Sequence, residues 1–434
     1  MSPHDTIFAL SSGPPPAGIA VVRMSGPDVR FGLETLAGFV PEPRVAVLRP
    51  LKAADGGLID QSIVLFFPGP GSFTGEDVAE LQVHGGRAVV AAVLSALSAL
   101  PGFRPAEAGE FTRRALANER IDLTQVEGLA DLIAAETEAQ RRQAVAQAGG
   151  ALGALAEAWR QRLVRARALI EAELDFPDEE DIPGAVSVQA WDIVAGLEKE
   201  IVNHLADQRG ERVRDGFEVV ILGPPNVGKS SLLNAIAQRD VAIVTPEAGT
   251  TRDLIEVRLD LGGYAVTLVD TAGLRETESA VEQEGIRRAE ERARAADLVL
   301  WLSDGSGRMA EAPLPDAIRV RNKIDLTPGS DDGTGEIGVS AKTGQGIAEL
   351  LAMVTERVAG LTPGTETPLI TRARHRAALE SCRGAMVAAL NHALPLELRA
   401  EELRHAGDAL GRITGKIDVE DMLDVIFRDF CIGK

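Results

Sequence analysis

Cysteine is nearly absent, with two residues, Cys382 and Cys431, in 434. That excludes a disulfide framework and fits a reducing cytosol. Positive charge is also scarce: 45 Lys and Arg stand against 65 Asp and Glu, a net charge of −20. Nucleic-acid binding rests on Lys and Arg neutralising phosphates. The chain as a whole therefore repels a polyanion, and any such contact must be local or supplied by a partner. No uninterrupted apolar run reaches the roughly 18 residues that a membrane span needs. The start, "MSPHDTIFALSSGPPPAGIAVVRMSG", is broken by proline and glycine and does not read as a signal peptide. Lysine is rare as well, with seven at positions 52, 199, 229, 323, 342, 416 and 434. In an arginine-biased chain a lysine marks a place where a compact ammonium is useful. Lys229, Lys323 and Lys342 fall in the motifs below, whereas Lys52, Lys199 and Lys416 read as surface charge.

The length suggests two to four domains of roughly 100–200 residues each. A hydrophobic content of 45% and a charged content of 25% are ordinary for a globular chain. Residues 1–118 mix strand-like runs ("GIAVVRMSG", "SIVLFFPG", "VAELQVHGG") with a helical "RAVVAAVLSALSAL" stopped by Pro101-Gly102, which predicts an α+β domain. From 119 to 214 the pattern turns helical. Val145, Ala148, Leu152, Leu155, Trp159, Leu163, Ala166, Ile170 and Leu174 predict one apolar stripe on a long helix. Gly149, Gly150 and Gly153 weaken it by about 1 kcal/mol each, and the acidic "DFPDEEDIPG" ends it as a solvated loop. Residues 215–365 alternate strand and helix. "FEVVILG", "LIEVRLDL", "YAVTLVD", "LVLWLSD", "AIRVRNK" and "EIGVS" are the strand candidates, with Gly262-Gly263 as a hairpin turn. Residues 366–434 are helical again. The economical architecture inserts an α/β domain between two halves of a helical one.

"GPPNVGKS", Gly223 to Ser230, has the spacing G-x-x-x-x-G-K-[ST] between the apolar "FEVVIL" and the helical "SLLNAIAQ". Such a loop aims successive N–H groups at phosphate oxygens. Lys229 offers a point charge to the β- and γ-phosphates, and Ser230 a ligand to Mg²⁺. Four further elements follow in order. "AGTTRD" (Ala248 to Asp253) carries hydroxyls that can reach Mg²⁺. "DTAG" (Asp270, Thr271, Ala272, Gly273) ends a strand with an acid and a glycine N–H. In "NKID" (Asn322, Lys323, Asp325) the Asp carboxylate can accept two N–H bonds from a guanine edge. "SAK" (Ser340, Ala341, Lys342) can back the base. Five motifs in order across about 120 residues point to GTP binding. Hydrolysis is less legible, because Leu274 follows Gly273 where Ras-type proteins soon place a water-orienting Gln. Glu276, Glu278, Glu282 and Glu284 downstream are candidate substitutes, and ordinary exposed helix acids is the blander reading of most.

The whole chain resembles the bacterial and organellar tRNA-modification GTPases called MnmE or TrmE. The resemblance is carried by "DTI" near the start, "FTGEDVAELQVHGG", "RPAEAGEFTRRALANERIDLTQVEGLADLI", "DFPDEED", the GTPase motifs and the terminal "CIGK". It implies a multidomain α/β and α+β fold: a folate-binding N-terminal domain that dimerises, a helical domain and an inserted Ras-like P-loop G domain. It also implies a GTPase that makes a carboxymethylaminomethyl-type group at carbon 5 of wobble uridine in certain tRNAs. The implied partners are the flavin enzyme MnmG (GidA), tRNA and a second copy of the chain in the cytoplasm, with no membrane. The implied ligands are GTP or GDP, Mg²⁺, K⁺ and a tetrahydrofolate derivative, 5-formyl or methylene. The rival reading is a ribosome-assembly or signalling GTPase without folate chemistry.

Carried over by position, the resemblance places the nucleotide on Asn226, Val227, Gly228, Lys229, Ser230 and Ser231. It continues through Thr245, Pro246, Glu247, Ala248, Gly249, Thr250 and Thr251, and then the DTAG, NKID and SAK residues. Ser230 and Thr251 would hold Mg²⁺. Asn226, Thr245, Glu247 and Thr250 would hold K⁺, mostly through backbone carbonyls, so a glutamate at 247 in place of an apolar family residue does little harm. Glu282 stands at the position of the family's catalytic glutamate and would orient water. Arg23, Glu80, Arg120 and Lys434 are implied for folate, Arg120 replacing a frequent lysine. "CIGK" fails as a prenylation box, since its third residue is Gly and its last is Lys. For Cys431 two readings stand, a chemical or orienting role in one-carbon transfer and a passive anchor of the chain end. Cys382, among helical alanines, reads as a packed core residue.

Overall fold

A computed structural model describes residues 5–175, 186–239, 241–243, 256–270, 287, 291–304, 315–326, 336–364, 367–417, 427 and 433. Helix and sheet are mixed throughout, and the chain forms two compact units. One comprises Met1–Ala130, Ala148–Val194 and Gly384–Lys434, the other Asp131–Gln147 and Ala195–Arg383.

The first unit is built on a six-stranded sheet of order β3-β4-β5-β2-β1-β6. Its strands are β1 (Thr6–Leu10), β2 (Ala17–Ser25), β3 (Val47–Lys52), β4 (Leu58–Phe67), β5 (Val78–Gly85) and β6 (Phe103–Pro105). All neighbours are antiparallel except β1 and β6. Because side chains alternate across a strand, Val22, Met24, Val64, Phe66, Leu81 and Val83 point inward. There they share a core with α1 (Val29–Ala37) and α2 (Arg87–Ser98). The opposite face carries Val21, Arg23, Ile63, Glu80 and Gln82, in a register that sets Arg23 opposite Glu80. The same unit holds α3 (Glu110–Ala117), most of α4 (Leu123–Ala134) and α6 (Ala151–Asp175). α6 packs against a later helix, Leu396–Thr414.

In the second unit the sheet order is β12-β11-β10-β7-β9-β8. Here β7 is Phe217–Leu222, β8 Glu256–Leu261, β9 Tyr264–Asp270, β10 Leu298–Ser303, β11 Ile318–Arg321 and β12 Ile337–Gly338. Each matches a strand expected from the sequence. Among these six strands only the β8–β9 hairpin, turning at Gly262-Gly263, is antiparallel. After α7 (Val186–Ala206) and α8 (Arg209–Asp215), α9 (Lys229–Ala237) and α10 (Ile347–Leu361) bury Leu232, Leu233, Ile236, Leu350, Val354 and Val358 on one face of the sheet. A parallel sheet gathers its loops at the carboxyl ends of the strands, where ligands of such folds bind.

The single long helix expected through Val145 to Leu174 is not formed. α5 (Glu138–Ala148) stops, Gly150 turns with φ +85°, and α6 begins at Ala151. Within α6 the expected stripe is real, since Leu152, Trp159, Leu163, Ala166 and Ile170 are all buried. In α5 it is not: Val145 is exposed while Gln143, Ala144 and Gln147 face inward. Each of those glutamines has a buried hydrogen-bond partner there. Gln143 donates to the Gly210 carbonyl at 3.0 Å, and Gln147 accepts from Thr371 at 3.0 Å. Apolar periodicity cannot find a face buried through hydrogen bonds. The acidic stretch after Asp175 lies outside the described residues.

Candidate functional site

The described residues of the G motifs sit at the carboxyl ends of β7, β9, β11 and β12. Gly228, with φ +97°, opens α9. A Cβ there would lie 2.4 Å from Asn322 Nδ2, so the backbone approach requires glycine. Asn322 is buried and acts as the knot of the site. Its Nδ2 donates to the Val227 carbonyl at 2.9 Å, and its Oδ1 accepts from the Ala341 amide at 3.1 Å. One side chain thereby joins the P-loop to the "SAK" turn. Ser340, fully buried, donates to Asp325 Oδ1 at 2.7 Å and accepts from the Thr343 amide at 3.1 Å, which fixes the carboxylate suited to a guanine edge.

Lys229 is 5% exposed and curls over its own loop, donating to the carbonyls of Gly223 at 2.9 Å and Pro224 at 3.0 Å. Ser230 donates its hydroxyl to the carboxylate of Asp270, which is 2% exposed. A hydroxyl and a carboxylate side by side at the phosphate end are an all-oxygen donor set, which suits a hard cation such as Mg²⁺. Asn226 is exposed and left-handed, with φ +61°. Its carbonyl accepts from Lys323 Nζ at 2.8 Å. Ser231 and Lys342 are exposed at the same edge. Thr245 to Thr251, Thr271, Ala272, Gly273 and Glu282 lie outside the described residues.

The structure brings two of the folate candidates together. Arg23 donates to Glu80 Oε1 from Nε at 3.1 Å and from Nη2 at 2.8 Å, and its guanidinium lies 5.8 Å from the Phe111 ring centre. Arg120 lies against a separate loop, where its stem would touch a Cβ at Gly75 at 3.2 Å. Cys431 and Lys434 lie outside the described residues, but Gly433 is placed, and its carbonyl accepts from Ser11 Oγ at 2.7 Å. Gly433 has φ +103°, and a Cβ on it would meet the Leu10 carbonyl at 2.1 Å. Glycine in the tail is thus a requirement of docking. Leu10 and Ala9 pair with Val22 and Arg23, so the tail meets the sheet one step from the Arg23–Glu80 pair.

Sequence reading missed a charge network beside this sheet. Glu110 is 1% exposed and accepts from Arg104 at 2.6 and 2.9 Å and from Arg114 at 3.2 Å. Arg114 also reaches Glu76, and Arg104 reaches Asp5. Burial alone would raise the Glu110 carboxyl, but the Arg104 guanidinium, the Glu107 amide and the charge of Arg114 hold it below the usual range. The signal was the charged run in "GEFTRRALA", which periodicity reads as a solvated face. Cys382 is the packed residue expected, and burial pushes its thiol up to about 12.

No described helix is long and apolar enough to cross a membrane. Residues 123–431 match the family described as MnmE helical domain, and residues 6–120 match that described as GTP-binding protein TrmE N-terminus. The tRNA modification GTPase MnmE of Parvibaculum lavamentivorans is 56% identical over 440 residues, covering 99% of this chain and 100% of that protein. The protein of that name from Rhizobium meliloti is 53% identical over 436 residues, with 99% of each chain covered. The solved G domain of the FeoB iron transporter of T. maritima is 24% identical over 34% of this chain and 99% of that one. Its TM-score is 0.25, too low to add to the assignment. With both family matches and relatives more than half identical along their whole length, the chain belongs to the MnmE family of tRNA modification GTPases.

Proposed function

We propose that the protein is a K⁺-activated GTPase that hydrolyses GTP to GDP and, with the flavin enzyme MnmG, installs a carboxymethylaminomethyl group at C5 of wobble uridine 34 in certain tRNAs. The carbon comes from a 5-formyl- or methylene-tetrahydrofolate. The observation that carries this reading is the convergence of Lys229, Ser230, Asp270, Asn322 and Asp325 at one sheet edge, where Ser230 bonds to Asp270, Asn322 to the Val227 carbonyl and Ser340 to Asp325.

Asp325 accepts two N–H bonds from guanine while Ser340 holds its other contacts. Lys229 exchanges the carbonyls of Gly223 and Pro224 for phosphate oxygens. Ser230 and Thr251 hold Mg²⁺, and Asn226, Thr245, Glu247 and Thr250 hold K⁺. Bound there, the two cations supply positive charge beside the β- and γ-phosphates, the work of an arginine finger in other GTPases. Glu282 orients the attacking water, a task that Leu274 has no group to perform.

In the other sheet Glu80 pairs with the N–H groups of a pterin, and Arg23, Arg120 and Lys434 meet the carboxylates of the glutamate tail. Cys431 arrives with the docked tail and has a chemical or orienting role in one-carbon transfer. The exposed apolar row Leu48 and Ile63, 65% and 40% exposed on adjacent strands, supports pairing of two N-terminal domains in a cytoplasmic homodimer. The domain limits that go with this reading are 1–118, 119–214 with 366–434, and 215–365.

GTP turnover measured in KCl and in NaCl tests the nucleotide half, with faster hydrolysis expected in K⁺. Glu282→Ala should keep nucleotide binding and lose turnover. Equal rates in both salts would count against the cation. Titrating 5-formyl-tetrahydrofolate onto the protein tests the other half, and absence of binding would favour a GTPase switch without folate chemistry.

A further inference from the structure

Among the described residues at the nucleotide edge, two adopt left-handed backbone without being glycine: Asn226, φ +61°, in the P-loop, and Lys323, φ +62°, in the "NKID" turn. Few non-glycine residues do so, and they persist where their surroundings hold them. A single ammonium joins these two. Lys323 Nζ donates to the Asn226 carbonyl at 2.8 Å and to Asp304 Oδ2 at 2.9 Å. Asp304 belongs to none of the five G motifs. It follows β10, whose last residue Ser303 pairs with Arg321 and accepts from the Asn322 amide at 2.7 Å. The carboxylate thus stands at the end of the strand between β7 and β11, beside both loops that it ties. Its side chain is 24% exposed and that of Lys323 35%, so water competes only in part for the pair.

We propose that Asp304 is a positioning residue for guanine-nucleotide binding, which aims the Lys323 ammonium at the Asn226 carbonyl and so presets the P-loop before nucleotide arrives. An ammonium has three donors and a flexible four-carbon stem. Without a fixed anion on its far side it is free to swing toward solvent, and Asn226 loses the contact that holds its backbone. A charge-assisted bond is about twice as strong as a neutral one, so the charge of Asp304 matters as well as its shape. The inference needs only that guanine nucleotide binds at this edge. It stands whether or not K⁺ or folate take part.

The test is a double-mutant cycle on the full-length protein, read as the dissociation constant of fluorescently labelled GDP. Asp304→Asn should weaken GDP by about tenfold, with the melting temperature of the nucleotide-free protein unchanged. Asp304→Glu should recover part of the loss. In a Lys323→Met background Asp304→Asn should have no further effect, because the residue it acts through is gone. Asp304→Ser keeps an oxygen without charge and carries the same expectation, which guards against a misfolded Asn variant. Unchanged GDP affinity, or losses that add in the double variant, would overturn the proposal.

Discussion

In the second unit, strands β7, β9, β10, β11 and β12 run parallel, and their carboxyl ends bring Lys229, Asp270, Asp304, Asn322 and Ser340 to one edge. In the first unit, β2 and β5 run antiparallel, and Arg23 meets Glu80 across the face of the sheet, within the strands themselves. The two sheets have the same number of strands but use them differently. A parallel sheet places function in the loops that follow its strands, whereas an antiparallel face draws it from side chains within paired strands, here Arg23 and Glu80.

The contrast can be broken by substitutions that should affect one sheet only. The largest effect is expected from Lys229→Ala, which should lower GTP turnover by about 10²- to 10³-fold, as removal of one charge-stabilising donor does. Folate titration of the same variant should be unchanged. Next comes Glu110→Ala in the first sheet's charge network. Breaking the pair should cost about 3 kcal/mol of stability, at the low end for a buried pair because Arg104 stays 30% exposed. GTP turnover per folded molecule should hold. The Glu110 carboxyl titrates lower in the folded state than in the unfolded chain. Its stabilisation is therefore complete above about pH 5 and is lost as pH falls through and below the ordinary glutamate range. Denaturant midpoints of wild type and Glu110→Gln should converge on acidification; midpoints that stay parallel would refute the linkage.

A smaller effect is expected from Arg23→Ala, which should weaken 5-formyl-tetrahydrofolate by roughly 1.5–3 kcal/mol, the worth of a hydrogen bond to a charged group, and leave hydrolysis intact. Calorimetric titration reads it. The smallest belongs to Glu136→Ala. Its contact with Arg258 is 3.5 Å long and the arginine is 60% exposed. Such surface pairs contribute under about 1 kcal/mol, and a larger shift in thermal midpoint would mean the pair does more than its geometry allows.

These differences also explain what could be read from the sequence. All six strands of the second sheet and the loop order of the nucleotide site were legible, because each motif is local and its context is the strand before it. Asp304 was not, since a lone acid after "LVLWLS" has no spacing to mark it. The Arg23–Glu80 pair was reachable only through family resemblance, as register is not written in either strand alone. α5 defeated the periodicity argument because Gln143 and Gln147 are buried through their hydrogen bonds. The requirement for glycine in "CIGK" became visible only when Gly433 was seen against the Leu10 carbonyl.

The central claim is that the nucleotide edge of one sheet and the charged face of the other serve a single reaction on tRNA. Mass analysis of wobble uridines tests it most directly, in cells lacking this protein and complemented with wild type, Lys229→Ala or Arg23→Ala. The account predicts that wild type alone restores the carboxymethylaminomethyl group fully. Full restoration by either variant, at equal protein level, would contradict it.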